Sequence, residues 1–308
     1  MMRRLVLLVA LLVPAAASAK VLNVEFEFTP FTGDKVKSDR VETVPGNARV
    51  YINNIPVSEN SIDKHEVMVL FEDREVAPAV WVPVGSLGPV VRRGKNTIRV
   101  EFEPADARAP YRAELRWAIV NDQTTTTGDA GSGTSTNQSG EGVDAKQAKG
   151  KVVFEHEFTA DFATDRPWHH YAAVAALGDA DRKALTELAS QRTELFKPDF
   201  AKFYALLKQN PQLDIASMRK AGCAEKAYAA GVRMEVAPAE KIEMVTTGGP
   251  AVVVQSSAGK LYAPPKPAAF DKIKGDDAQM CASVALFTAY PPRLVVVHSP
   301  SGAWEVVQ

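Results

Sequence analysis

The chain has 308 residues, of which 36 are Lys or Arg and 37 are Asp or Glu, so its formal net charge is −1 with neutral histidines. A chain with so balanced a charge has no overall field that attracts nucleic acid or an anionic membrane. No basic run with interleaved aromatic residues occurs in the sequence either. We therefore expect no nucleic acid among its partners.

Residues 1–19 have the three parts of a secretory signal peptide. Two arginines precede an apolar run over residues 5–13, which is too short to span a bilayer, and small residues at 17–19 form a cleavage pattern. The remaining sequence has no stretch of ~20 apolar residues that would cross a membrane. We predict a mature chain that starts at Lys20, is periplasmic or secreted, and has no membrane span after cleavage.

Residues 20–122 have the pattern of an all-β domain. Apolar and polar residues alternate over 21–28 and again over 94–103, as in strands with one buried face. Further strand signals recur at intervals of about ten residues, which is typical of antiparallel sandwiches. Asn53 and Asn54 interrupt one apolar run, and because Asn tolerates positive φ we predict a tight hairpin turn there.

Two of these segments resemble parts of known β-sandwich families. The predicted hairpin over residues 48–57 and the strand over 94–103 resemble in style those of immunoglobulin-like and galactose-binding-like sandwiches. The resemblance includes no ligand signature, so it implies a fold and no function. We predict an antiparallel sandwich of immunoglobulin-like or jelly-roll style.

A polar tract follows this first domain. Fifteen of the 28 residues from 123 to 150 are Gly, Ser or Thr. Such a segment buries too little apolar surface to offset the entropy of ordering, so we predict a flexible tract. We expect the strand at 111–120 to pair with the strand at 151–158, with the tract as the tip of a long hairpin. Strand 151–158 would then complete the first domain; the alternative is that the tract links two separate domains.

Residues 166–308 predict an α+β domain with three helices followed by an antiparallel meander. Helical spacing begins near Asp179, near Pro198 and near Asp214, each of which suits the start of a helix. Short apolar runs after residue 240, including the run at 282–289, predict the strands. The complete fold prediction is a two-domain protein.

The chain contains two cysteines, Cys223 and Cys281. In an exported protein an even pair most simply forms a disulfide bond, which is our prediction. The alternatives are two buried free thiols, or a catalytic cysteine with a histidine as its base.

The best candidates for metal ligands are His169 and His170, with His156, Asp161 and Asp165 nearby in the sequence. Imidazole and carboxylate groups suit zinc or copper. However, the adjacent histidines lack the i, i+4 spacing of a helical zinc site. In the alternative, one histidine bonds to the backbone and a neighbouring aromatic residue packs into the core. We expect no metal and no cofactor.

The leading functional hypothesis is an exported, non-catalytic protein of the cell envelope that binds a protein or a glycan or supports an envelope structure. A competing hypothesis is a hydrolase of the second domain that uses His169 or His170 with a metal ion, or with Asp161 or Asp165.

A third hypothesis is a carbohydrate-binding module. In this case an exposed aromatic side chain of the first domain, such as Tyr51, Trp81 or Trp117, would stack on a sugar ring. The alternative, which we favour for each of these three residues, is a place in the core.

Overall fold

The computed structural model describes residues 20–70, 74–126, 132–208, 210 and 213–308. The predicted signal segment, residues 1–19, lies outside the described residues. None of the helices in these ranges has both the length and the apolarity needed to cross a bilayer.

The β-strands, in chain order, are β1 (Lys20–Thr32), β2 (Arg40–Thr43), β3 (Gly46–Ile52), β4 (Ile55–Ile62), β5 (Glu66–Leu70), β6 (Glu75–Val76), β7 (Val80–Pro83), β8 (Gly94–Pro104), β9 (Tyr111–Thr126), β10 (Ser132–Ala148), β11 (Val152–Ala160), β12 (Glu235–Val236), β13 (Ile242–Thr246), β14 (Ala251–Ser256), β15 (Tyr262–Ala263), β16 (Leu294–His298) and β17 (Trp304–Val306). The α-helices are α1 (Asp179–Thr193), α2 (Ala201–Leu207), α3 (Ile215–Ala221), α4 (Cys223–Ala229) and α5 (Asp276–Ala289).

Two antiparallel sheets form the N-terminal half. The large sheet has the strand order β10-β9-β1-β2-β5-β6, with β7 also paired to β1, and the small sheet has the order β11-β8-β3-β4. Their inner faces share one core, in which the Phe28 ring lies 5.7 Å from the Phe102 ring and 5.8 Å from the Phe154 ring, between centroids. The predicted antiparallel, β-rich first half is therefore confirmed, while its immunoglobulin-like or jelly-roll style stays a prediction.

The hairpin between β3 and β4 has its turn at the predicted place. Asn53 and Asn54 have φ values of 52° and 64°, and the two strands pair antiparallel on either side of them. Positive φ at both central residues is the geometry that a two-residue hairpin turn requires, and Asn adopts it more readily than most residues do.

The pairing around the polar tract differs from the prediction. Strand β9 pairs with β10, which lies within the tract itself, whereas β11 pairs with β8 in the other sheet. The reason is physical: a backbone ladder needs no apolar side chains, so the polar residues of β10 can extend an edge of the large sheet. Strand β11 instead buries Val152, Phe154 and Phe158 in the shared core. The mobility of the tract, as distinct from its pairing, stays a prediction.

Gly142 marks the point where β10 passes over β9. The register shifts between Ser139 and Gly142, and a Cβ atom at residue 142 would overlap the indole ring of Trp117. The close approach of this backbone to an aromatic ring therefore requires glycine.

The C-terminal sheet has the order β13-β14-β16-β17 and is antiparallel throughout. Val252 and Val296 point to a core shared with the helices, while Val253 and Val295 belong to the same apolar cluster as the N-terminal core. Burial on both faces explains the nearly continuous apolar runs of β14 and β16. The two halves thus share a buried interface, and the division of the chain into two domains stays a prediction.

The helices differ from the prediction in two places. Residues 282–289, predicted as a strand, form the second half of α5. A short apolar run does not distinguish a strand from a buried helix, and here Ala282, Ala285 and Leu286 recur at helical spacing on the buried face. The third predicted helix is divided into α3 and α4 by Gly222, whose φ is 66°.

The disulfide bond between Cys223 and Cys281 is confirmed. It joins the start of α4 to α5 across 58 residues of sequence. Cys223 is fully buried in the core between the helices and the C-terminal sheet.

Candidate ligand groove

The outer face of the small sheet carries a cross-strand row of polar side chains. Tyr51 lies opposite Arg99, which lies opposite Glu155. Because side chains alternate across a strand, the neighbours Val50 and Val100 point into the core and the row remains on the outside. The Arg99 guanidinium lies over the Tyr51 ring, 4.0 Å from its centroid, so it covers one face of the only aromatic side chain in the row.

A second row, adjacent to the first, contains paired charges. Arg49 lies between Glu59 and Glu101 in the register, and its Nε donates to Glu59 Oε1 at 3.1 Å. Glu101 accepts a hydrogen bond from Lys151 Nζ at 2.6 Å and forms an ion pair with Arg99. Each cation of the two rows therefore has a carboxylate partner within the sheet.

The C-terminal sheet faces these rows across an open groove with a cavity volume of about 1370 Å³. Two neighbouring strands of this sheet, β13 and β14, line the groove. Glu243 of β13 pairs with Gln255 of β14, and Val245 of β13 pairs with Val253 of β14. Small-molecule pockets have volumes of about 300–1,000 Å³, so this groove has room for a ligand of several residues.

Arg293 projects from the C-terminal side of the groove. It forms neither a hydrogen bond nor an ion pair with any residue in the part of the chain that the structure describes. Burial lowers the pKa of the Arg293 guanidinium, and the nearby Glu59 carboxylate partly offsets that effect. Pro291 and Pro292 restrict the backbone before it, and the Pro292 carbonyl accepts a hydrogen bond from Leu261 N at 2.8 Å. The guanidinium is thus held on a restrained segment without a protein acceptor.

The tip of the β3–β4 hairpin connects the two walls of the groove. Asn54 Nδ2 donates to the Thr247 carbonyl at 3.0 Å, and the Thr247 hydroxyl donates to the Ala251 carbonyl at 2.8 Å. Both Asn54 and Thr247 line the groove. This contact ties the small sheet to the C-terminal sheet and so helps to set the width of the groove.

His169, a candidate metal ligand, lies away from the residues that line the groove. Its side chain is 3% exposed, and its Nε2 lies 2.7 Å from the Pro89 carbonyl, which can only accept, so Nε2 is the donor. Its Nδ1 accepts from Arg166 N at 3.1 Å. With both ring nitrogens bonded to the backbone, His169 ties its loop to the short 3₁₀ turn at Gly88–Val90.

Trp168 of the same loop is buried in the N-terminal core, whereas Asp165 and His170 lie on the surface. Asp165 Oδ1 accepts from Arg93 N at 2.9 Å, and this hydrogen bond is the main reason why the pKa of Asp165 is lowered. His170 is 71% exposed and its Nε2 lies 3.6 Å from Asp165. Asp161 is also exposed. The loop thus brings Asp165 close to His169 and His170. Asp161 forms no ion pair or hydrogen bond with either histidine among the described residues.

His156 lies in β11 and stacks on Trp117 with 3.9 Å between ring centroids. Burial lowers its pKa, which favours the neutral imidazole. Within the described ranges, no group of three or more His, Cys, Asp or Glu side chains is close enough to hold a metal ion. The metal hypothesis stays untested.

Of the three aromatic candidates for sugar binding, Trp81 is the exposed one. It lies on the outer face of the large sheet, its side chain is 57% exposed, and its Nε1 donates to Glu25 Oε2 at 3.4 Å. Glu27 lies directly opposite Trp81, and burial raises the pKa of its carboxyl group. Tyr51 is covered by a guanidinium, as described above, and Trp117 packs against the core.

The sequence reasoning missed the three arginines of the groove, Arg49, Arg99 and Arg293. Two of them occupy polar positions in alternating strands, where a charge is expected in any half-exposed sheet. The only local signal at Arg293 is a charged residue between two prolines and a buried strand.

No protein-family model, curated protein sequence or solved structure matches the chain.

Proposed function

We propose that this protein is an exported, non-catalytic binding protein whose ligand site is the groove between the small sheet and the C-terminal sheet. The observation that carries the proposal is Arg293. Its guanidinium has no hydrogen-bond or ion-pair partner among the described residues, in a groove where the other arginines are paired. Placing a charge there lowers the stability of the free protein, and a ligand that pairs with the guanidinium recovers that free energy.

The walls of the groove favour ligand binding over catalysis. Both are formed by sheets whose opposite faces are buried, and the contact between Asn54 and Thr247 fixes one end. A rigid, preformed site loses little entropy when a ligand binds. The expected ligand is part of a protein or a glycan of the cell envelope.

The proposed export is supported by the disulfide bond between Cys223 and Cys281. Structural disulfides persist in oxidising compartments such as the periplasm and the extracellular space. Export itself is tested by expressing the full chain and sequencing the N-terminus of the product, which we expect to begin at Lys20.

Binding is tested by native mass spectrometry of residues 20–308, incubated with a panel of linear peptides and soluble oligosaccharides. Val245 is 45% exposed and lines the groove, so Val245→Trp fills it without disturbing the core. Met68 is 58% exposed on the large sheet, so Met68→Trp is the matched control. We expect ligands that bind the parent and the control but not Val245→Trp. Turnover of a bound ligand, or equal binding by all three proteins, contradicts the proposal.

A second candidate function is carbohydrate binding at Trp81. An exposed indole with carboxylates from Glu25 and Glu27 beside it can stack on a sugar ring and accept hydrogen bonds from its hydroxyl groups. In this case Trp81→Ala abolishes binding of oligosaccharides from the same panel, whereas Val245→Trp leaves it unchanged. The reverse pattern would assign any glycan binding to the groove.

A further inference from the structure

We infer that the groove binds the C-terminal end of a peptide and that Arg293 binds its terminal carboxylate. This inference rests on the proposed binding function of the groove and adds the chemical class of the ligand. It follows from three features: the unpaired guanidinium, the carboxylates around it, and the apolar residues beside it.

The first feature is the guanidinium itself. An arginine side chain offers five N–H donors in a planar fork that matches the two oxygens of a carboxylate. On the small sheet, Arg99 uses this capacity on Glu101, and Arg49 uses it on Glu59. Arg293 lines the same groove with its donors free of any described partner. Lys260 also lines the groove without a carboxylate partner among the described residues, but its ammonium lies over the Phe287 ring, so Arg293 is the unpaired arginine that calls for an anionic group on the ligand.

The second feature limits the charge of that group. Four carboxylates line the groove with Arg293, and they are Glu59, Glu101, Glu155 and Glu243. Glu59 and Glu101 are paired with arginines, whereas Glu155 and Glu243 have no cation partner among the described residues and would repel a phosphate dianion or a polyanionic chain. A single carboxylate bound bidentately by Arg293 minimises this repulsion. The free carboxylates of Glu155 and Glu243 suit the N–H groups of a neutral peptide backbone.

The third feature favours a peptide over an acidic sugar. Val245, which is 45% exposed, lines the groove on the same wall as Arg293 and provides an apolar surface for a side chain. Gln255 follows Val254, which pairs with Leu294, so the register places Gln255 and Arg293 at the same end of this strand pair, and the Gln255 amide can bond to a peptide group. A sugar would instead require an open aromatic face, and the ring in this groove is covered by a guanidinium.

The test compares two probes on the parent protein, the peptide N-acetyl-Ala-Ala-Val with a free C-terminus and the same peptide as its C-terminal amide. Titration is followed by NMR at neutral pH, where the acid is ionised. We expect the acid to bind at least about tenfold more tightly, because only the acid forms a charge-assisted pair with the guanidinium. Arg293→Gln should remove the preference for the acid, and Arg293→Lys should restore part of it. Arg108→Gln, an exposed loop arginine outside the groove, should leave it unchanged.

Equal affinities for acid and amide would overturn the role of Arg293 while leaving the groove as a binding site. An acid preference that survives in Arg293→Gln would also overturn it. If neither probe binds at millimolar concentration but an acidic oligosaccharide from the wider panel does, the peptide class is wrong and the proposed function stands. Because the comparison of acid with amide uses the parent protein, it does not depend on the folding of any variant.

Discussion

Removing the disulfide bond between Cys223 and Cys281 should measurably destabilise the protein. The bond closes a segment of 58 residues that contains four strands and the first part of α5. On the chain-entropy model a loop of this length contributes about 4 kcal/mol to the free energy of unfolding, and strain or residual structure in the unfolded chain reduces the figure. We expect a loss of about 2–4 kcal/mol in the variant Cys223→Ala/Cys281→Ala.

Part of this loss comes from packing rather than from the cross-link. Cys223 is fully buried between helices and sheet, so its replacement by alanine removes a sulfur atom and leaves a small cavity. The parent protein with its disulfide reduced is the matched control, because it loses the cross-link and keeps both sulfur atoms. The difference between the reduced parent and the double variant gives the packing contribution.

The assay is urea unfolding followed by near-UV circular dichroism, for the oxidised parent, the reduced parent and the double variant. In thermal unfolding, a loss of this size corresponds to a decrease in Tm on the order of 10 °C for a chain of this length. If the reduced parent unfolds within about 1 kcal/mol of the oxidised protein, the cross-link does not stabilise the fold in the way proposed.

Three further predictions concern the N-terminal half. Gly142→Ala places a methyl group against the Trp117 ring, and we expect a loss of about 1–3 kcal/mol in urea unfolding. His169→Ala removes two hydrogen bonds to the backbone and should cost about 1–2 kcal/mol, whereas the exposed His170→Ala should change stability by less than about 0.5 kcal/mol. Burial lowers the pKa of His156 in the folded state, so stability should be fully present above about pH 6.5 and fall as the pH drops toward the folded pKa.

Each of these has an outcome that contradicts it. Parent-like stability of Gly142→Ala would show that the indole of Trp117 moves aside freely. Equal losses in the two histidine variants would remove the special role of His169 in holding its loop. His156→Phe keeps the stacked ring and removes the titration, so an unchanged slope of stability against pH in this variant would assign the slope to other groups.

Most strands of the N-terminal half were predictable because alternation specifies which side chains are buried. Residues 21–28 and 94–103 each lie in a strand with one face in the core, as the pattern indicates. Asn53 and Asn54 were equally informative because few residues adopt positive φ. These signals come from short stretches of sequence, and the strands and the turn that they predict form at those positions.

Two segments could not be assigned correctly from local pattern. Strand β10 is polar, and it pairs with β9 through a backbone ladder that only the folded sheet supplies. Residues 282–289 are apolar at nearly every position, so the choice of helix over strand depends on what packs against them. For α5 these are the disulfide-linked α4 together with α2 and α3, in the core that the helices share with the C-terminal sheet.

The groove could not be predicted from the sequence for a different reason. Whether a charge is paired depends on contacts between segments far apart in the chain, and such contacts are absent from any single window. Arg49 and Arg293 are both arginines near Glu59, yet Arg49 forms a hydrogen bond with that carboxylate, whereas Arg293 has no hydrogen-bond or ion-pair partner among the described residues. What distinguishes a structural cation from a candidate binding cation is therefore the position of a carboxylate contributed by another strand. In this protein that criterion favours Arg293, and it is the property that the acid and amide probes measure.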